Sequence, residues 1–317
     1  MTSDRSSGSP STGSGPAGCA PGEAPATLVV AGREVARWSS GEDLAPELSP
    51  RPFLHPVLTL AGTVVSDREP EDHRWHLGVG VAIQDVGGVN LWGGRTYVRG
   101  QGYTWLDDHG TVTHEGWAER RPDTFTERLT WRGRAGTALL EERRTVRAAP
   151  VQPLPGCWRM SFSFALRNVS GDRLSLGSPA TNGRPGAGYG GFFWRFPPLT
   201  SPRVFTEDRS GEQGVHGWTA PWIAVTAGTG PNGAAFTVAV AAADDATLGD
   251  PWFVRLSSYP GLGSSLAADS PVVLAPEAAA TRRFTALVAD GVLTGADVAA
   301  ALDIPTTPDP TPSTREA

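Results

Sequence analysis

A side-chain period of two runs through most of this chain and leaves few architectures open to it. Trp158, Met160, Phe162, Phe164 and Leu166 alternate with Arg159, Ser161, Ser163, Ala165 and Arg167. Successive side chains of a strand point to opposite faces, so this segment reads as a half-buried antiparallel strand. Phe125, Leu129 and Trp131 alternate with Thr124, Thr126, Arg128 and Thr130, although Glu127 interrupts the apolar series. Further strands are expected at TALLEERRTV from Thr137, WIAVTA from Trp222, AAFTVAVA from Ala234, WFVRLS from Trp252 and RRFTALVA from Arg282. Gly (39) and Pro (28) make up about a fifth of the chain, against roughly 12% in average proteins, which adds many turns to the pattern. One helix is signalled, by Thr294 as N-cap and Asp297 three residues on as its capping-box partner. The expectation is an all-β fold, a large antiparallel β-sandwich or barrel with one short C-terminal helix.

The 317 residues could hold two domains. No low-complexity linker or repeat interrupts the middle of the chain, so a single β domain is expected over 27–304. Residues 1–26 and 305–317 are rich in Ser, Gly, Pro and Thr and read as disordered tails. Net charge is −6, and all 27 basic residues are Arg. The absence of Lys excludes a Schiff base and a P-loop, and scattered Arg gives no nucleic-acid footprint. No apolar run is long enough to span a membrane. Two cysteines, Cys19 and Cys157, cannot build a disulfide framework. Without the apolar region of a signal peptide, the expected location is the cytoplasm.

Five of the six histidines fall between His55 and His114. His73 and His76 lie beside Asp72 in EDHRWHLG, and the segment after them alternates: Leu77, Val79, Val81 and Ile83 form an apolar face, and His76, Gly78, Gly80, Ala82 and Gln84 the other. Gly and Ala on one face leave room for a ligand or for a packed neighbour. Histidine titrates near neutrality and a neighbouring carboxylate can orient it, which suits acid/base chemistry. Aromatic rings would offer platforms for a sugar face, and Asn and Arg would bind hydroxyls or a carboxylate. Asn90 and Trp92 in GVNLWGG are candidates. So are Asn182, Arg184, Tyr189, Trp194 and Arg195 in TNGRPGAGYGGFFWRFP, a loop leading into a strand at Phe192. A divalent metal held by His55, His73 and His76 is the alternative. The three-residue spacing puts His73 and His76 on opposite faces of a strand, so a loop would be needed to bring them together.

The segments RPFLHPVLTLAGTVVSDREPEDHRWHLGVGVA, VNLWGGRTYVRGQG, SPATNGRPGAGYGGFFWRFP, and DPWFVR followed by YPGLGSS resemble the bacterial PmoA-like proteins, actinobacterial members especially. That resemblance implies a β-sandwich related to the galactose mutarotase type, a supersandwich, and a role beside carbohydrate catabolism. It matches His55, Asp72, His73, His76, Asn90, Trp92, Asn182, Arg184 and Trp194. Many relatives carry His where this chain has Trp75, which weakens any metal site built on that position.

The reading is therefore a carbohydrate-active protein performing epimerisation, elimination or hydrolysis on a sugar or oxidised sugar. His73, His76 and Asp72 would be catalytic, and His55, Asn90, Trp92, Asn182, Arg184 and Trp194 would bind substrate. No cofactor is expected, and the partner is a small-molecule carbohydrate rather than nucleic acid or membrane. A metal-dependent oxygenase or hydrolase and a non-catalytic sugar-binding protein are the alternatives.

Overall fold

The computed structural model describes residues 26–152, 154–229 and 233–303. The chain opens in one sheet with β1 (Thr27–Val30), β2 (Arg33–Ser39), β3 (Phe53–Val57), β4 (Val79–Val86) and β5 (Val89–Leu91). A small ribbon of β6 (Thr96–Val98) and β7 (Gly102–Thr104) follows. The chain then crosses to a second sheet for β8 (Thr111–Arg121), β9 (Thr124–Arg132), β10 (Ala138–Pro150) and β11 (Cys157–Asn168). It returns to the first for β12 (Leu174–Gly177) and β13 (Gly191–Arg195). The second sheet takes β14 (Leu199–Phe205), the single turn α1 (Glu212–Val215) follows, and β15 (Trp222–Thr229) and β16 (Ala234–Ala242) extend the sheet. After the turn α2 (Asp245–Leu248), β17 (Trp252–Arg255), β18 (Gly261–Ser264) and β19 (Val272–Leu274) join the first sheet. β20 (Ala279–Asp290) enters the second, and helix α3 (Gly295–Ala301) comes last.

The first sheet runs β1-β2-β3-β4-β13-β18-β17, with β5 and β12 also paired to β4 and β19 to β12. The second runs β14-β15-β16-β20-β11-β10-β9-β8. Alternation decides what lies between them. Val79, Val81 and Ile83 of β4 and Phe192 and Trp194 of β13 share one buried core with Phe125, Leu129 and Trp131 of β9 and Met160, Phe162 and Phe164 of β11. This is the antiparallel, mostly-β sandwich that the period of two requires. Helix α3 has the expected capping box, with Thr294 Oγ1 accepting from Asp297 N (3.2 Å) and Asp297 Oδ2 accepting from Thr294 N (2.9 Å). Its Val298 and Ala301 cover Trp222, Ala239 and Leu287 on the outer face of the second sheet.

The interruption at Glu127 has a physical cause. Its carboxylate is fully buried, accepts from Trp38 Nε1 (3.0 Å) and His114 Nδ1 (3.1 Å), and faces Arg144 at 3.4 Å. Arg144 forks onto Glu142 (2.7 and 3.0 Å), which also accepts from Trp131 Nε1 (2.8 Å). Paired charges can stay inside a core where an isolated one could not. The tails expected over 1–26 and 305–317, and Cys19, lie outside the described residues, except that Ala26 is buried and its carbonyl accepts from Trp38 N (2.8 Å). Among the described residues no helix is long and apolar enough to cross a membrane.

Candidate active site

The outer face of the first sheet carries a cluster of titratable and aromatic side chains. Gly80 of β4 pairs with Phe53 of β3 on one side and Phe193 of β13 on the other. Directly opposed residues share a face, so the two rings close in over Gly80, which has no side chain of its own. Just before β4 the chain makes two tight turns, in which His73 N donates to Pro70 O (3.0 Å) and His76 N to His73 O (2.8 Å). The turns bring the two imidazoles together as a stacked pair, with centroids 4.7 Å apart and planes 20° apart. Tyr259 packs against both rings, at 4.4 and 4.9 Å.

Their polar partners assign the tautomers. His73 Nδ1 donates to Asp72 Oδ2 (3.0 Å), so the neutral ring keeps its lone pair on Nε2. Arg195 Nη1 donates to His76 Nδ1 (3.2 Å), which leaves the His76 proton on Nε2. Arg195 Nη2 also donates to both Asp72 oxygens (2.9 and 3.2 Å), so one guanidinium ties the carboxylate to the second imidazole. Burial, helped by the nearby His73, Arg195 and Arg51, holds the His76 imidazole well below its usual range. At Asp72 burial acts upward, but the His73 hydrogen bond and the Arg195 charge outweigh it and hold the carboxyl below its ordinary value. Asp72 is therefore a carboxylate and His76 a neutral ring at neutral pH.

These groups line a cavity of about 570 Å³ that draws its walls from distant parts of the sequence. The His turn contributes Asp72, His73, Trp75 and His76, and β4 contributes Gln84. Trp92 and Arg95 flank β5 and β6, and Tyr103 with Trp105 come from the ribbon's second strand and the residue after it. Arg184 and Tyr189 come from the Gly-rich loop, and Phe253, Arg255 and Tyr259 from β17 and its sequel. Tyr103 and Tyr189 share a hydroxyl contact (2.9 Å), Gln84 Nε2 donates to Tyr189 Oη (3.2 Å), and Arg184 Nη1 donates to Tyr103 Oη. Burial pushes the Tyr189 and Tyr259 hydroxyls upward, so both remain protonated. Trp75 seats against Gly94, where a Cβ would lie 2.4 Å from the indole and φ is +71°. A larger groove of about 790 Å³ lies beside β14 and α1, but it contains no histidine, and its Glu212 is committed to Leu256 N and Ser257 N.

Of the residues expected in one site, Asp72, His73, His76, Trp92, Arg184 and Tyr189 line this cavity, and Arg195 stands behind it on Asp72 and His76. The others lie elsewhere. Trp194 is fully buried between the sheets, with its indole N–H on Val65 O (2.8 Å). It pairs with Val79, so the alternation that sends Arg195 outward sends Trp194 into the core. His55 sits on β3 with its Nδ1 2.9 Å from Ser66 Oγ. Asn90 is a buried turn organiser, its Oδ1 accepting from Trp92 N and Gly93 N and its Nδ2 donating to Gly94 O and Thr96 Oγ1. Asn182 anchors the Gly-rich loop by donating to Asp85 (3.0 Å). Among the described residues no group of three His, Cys, Asp or Glu side chains is placed to hold a metal, and His55 does not join the stacked pair.

Residue-by-residue inspection missed Gln84 as a cavity residue, and also Arg95, Tyr103, Trp105, Phe253, Arg255 and Tyr259. A signal existed for the last three, because DPWFVR and YPGLGSS were already distinctive segments. Arg95 had the same signal, since it lies in VNLWGGRTYVRGQG, whereas Tyr103 had none, because a three-residue ribbon strand carries too little periodicity to stand out.

A two-sheet antiparallel sandwich with a histidine–carboxylate cluster in an aromatic cavity is the class that fold and site define. The chain belongs to the family described as "Family of unknown function (DUF6807)", whose model matches residues 26–303. This corrects the resemblance to PmoA-like proteins drawn from the same segments, which nothing in these matches supports. No curated protein sequence matches the chain. Among solved structures, it is similar to an Escherichia coli K12 protein provisionally described as an aldose 1-epimerase, at 11% identity and a TM-score of 0.44, over 84% of this chain and 99% of that one. It is also similar to α-galactosidases from Geobacillus stearothermophilus (11% identity, TM-score 0.33) and Lactobacillus brevis (11%, 0.34). It aligns over 75% and 79% of its own length but spans only 30% and 34% of theirs.

Proposed function

We propose that this chain is a carbohydrate-active enzyme that transfers a proton at its substrate, with His73 as the base. The observation that carries this reading is the Asp72–His73 hydrogen bond (3.0 Å) in the wall of an aromatic cavity. Asp72 fixes the ring and stabilises the imidazolium that forms when Nε2 takes a proton. The neutral His76 beside it offers a hydrogen bond to a developing negative charge. Trp75, Trp92, Trp105 and Phe253 supply apolar faces against which a sugar ring can lie. Hydrolysis by a carboxylate pair needs two carboxyl groups flanking the bond. Asp72 is the sole lining carboxylate among the described residues, and it is held by Arg195. The geometry therefore favours epimerisation or elimination over hydrolysis.

Deuterium incorporation from D₂O into a panel of aldoses, glycosides and 3-keto-glycosides tests the proposal. At least one substrate should exchange or convert. His73→Gln should lose roughly 10²–10⁴-fold in rate, the usual share of acid/base catalysis, with an unchanged melting temperature. Binding of sugars with no exchange or turnover anywhere in the panel would make the chain a sugar-binding protein instead.

A further inference from the structure

The whole chain carries a net charge of −6, yet the cavity gathers three arginines, Arg95, Arg184 and Arg255. Asp72, the only lining carboxylate among the described residues, is already neutralised by Arg195 (2.9 Å). Among the described residues no carboxylate lies within salt-bridge distance of the other three. Glu212 is close enough to feel the Arg255 charge, but its Oε2 accepts from Leu256 N (2.8 Å) and Ser257 N (3.0 Å).

The three guanidiniums are also held in a common way. Arg184 lies over the Tyr103 ring (4.7 Å to the centroid), Arg255 over Phe253 (5.1 Å) and Arg95 over Trp105 (5.9 Å). All three rings line the same cavity. Stacking holds a guanidinium by its face and leaves the in-plane N–H groups to donate. Arg255 donates to Val254 O (2.9 Å) and Gly186 O (3.1 Å), and Arg184 to Tyr103 Oη, which leaves N–H groups over on each. The Gly186 carbonyl is shared with His216 Nε2 (2.8 Å), so the loop bearing Arg184 is fastened beside Arg255. Both arginines act on Tyr259, which itself packs on His73 and His76.

We infer that the cavity takes a sugar bearing an oxyanion group, a carboxylate or a phosphate, and that Arg184 and Arg255 bind that group with Arg95 adding to the field. Stacked arginines without carboxylate partners, beside aromatic platforms in an otherwise acidic chain, match such a ligand and leave excess charge against a neutral one. The inference rests on the carbohydrate reading and adds the charge of the substrate to it.

Titration calorimetry on the full chain with glucose, glucuronate, glucose 6-phosphate and malate tests it. Glucuronate or glucose 6-phosphate should bind at least about tenfold tighter than glucose, the usual gain from hydrogen bonds to a charged group. The stronger of the two identifies the oxyanion. Arg184→Gln combined with Arg255→Gln should erase that preference, and added salt should weaken it. Glucose bound as tightly as its charged counterparts overturns the inference while leaving the proton-transfer reading intact. Malate bound as tightly as the charged sugars supports the oxyanion site and overturns its carbohydrate part. No binding of any of the four at millimolar concentration overturns both.

Discussion

Trp194 and Arg195 are adjacent in sequence and do opposite work. Trp194 packs between the sheets, and Arg195 holds Asp72 and His76 on the outer face. Trp194→Ala should therefore destabilise the protein by about 3–5 kcal/mol, the usual cost of emptying a large buried site. The folded fraction should keep its affinity for any sugar that the unsubstituted protein is found to bind. Urea unfolding and ligand titration on the same variant check this, and an affinity loss without a stability loss would place Trp194 in the site after all. The division was legible in the sequence. Val79 already belonged to an apolar face, and a strand reading of GFFWR sends Phe192 and Trp194 one way and Phe193 and Arg195 the other. The partnership of Arg195 with His76, 119 residues away, was not legible. Periodicity fixes which face a side chain takes but not which strand lies beside it. Glu127 marks a further limit, since a lone acid in an apolar series reads as an error until Arg144, Trp38 and His114 are seen around it.

At the scale of elements, the small-residue face of β4 turns out to be filled rather than empty. Gly80 lies between Phe53 and Phe193, and a Cβ built on it would already sit 3.5 Å from the Phe53 Cβ and 3.4 Å from Pro52 O. One added methyl group fits at contact distance, whereas valine's branches must displace a ring. Gly80→Val should cost about 1–3 kcal/mol by overpacking. Because Phe193 packs on both His76 (5.0 Å) and Trp92 (4.9 Å), the displaced ring should also loosen the cavity wall. Thermal unfolding and sugar binding should fall together. A valine variant of unchanged stability that still lost binding would mean that the face opens directly onto the ligand. The sequence showed that β4 had a small-residue face, but it could not show that neighbouring strands supply aromatics to cover it.

At the scale of the whole molecule, one buried and two half-buried histidines shape how stability responds to acid. Burial is the largest influence on His55, His76 and His216, and it lowers all three from the usual imidazole value. An unfolded chain takes up protons at these positions as pH falls through about 6.5, whereas the folded chain resists. The unfolded state then binds more protons, so stability is fully present above that pH and is lost as pH drops toward the depressed folded values. Glu142 and Asp250 act in the opposite direction, because burial raises their carboxyls and the folded state takes up protons first. A difference measurement removes their contribution. His76→Gln keeps an acceptor for Arg195 but cannot titrate, so it deletes one histidine's share of the slope and leaves the carboxyls as they were. The wild-type melting temperature should fall between pH 7 and pH 5, and the variant's should fall less over the same interval. His76 is enclosed by Trp92, Phe193 and Tyr259 and faces the Arg195 guanidinium, so its protonation would place a second positive charge against the first. Equal slopes for the two proteins would mean that His76 accepts its proton in the folded state, and with it the assignment of a neutral ring beside the proposed base His73 would fail.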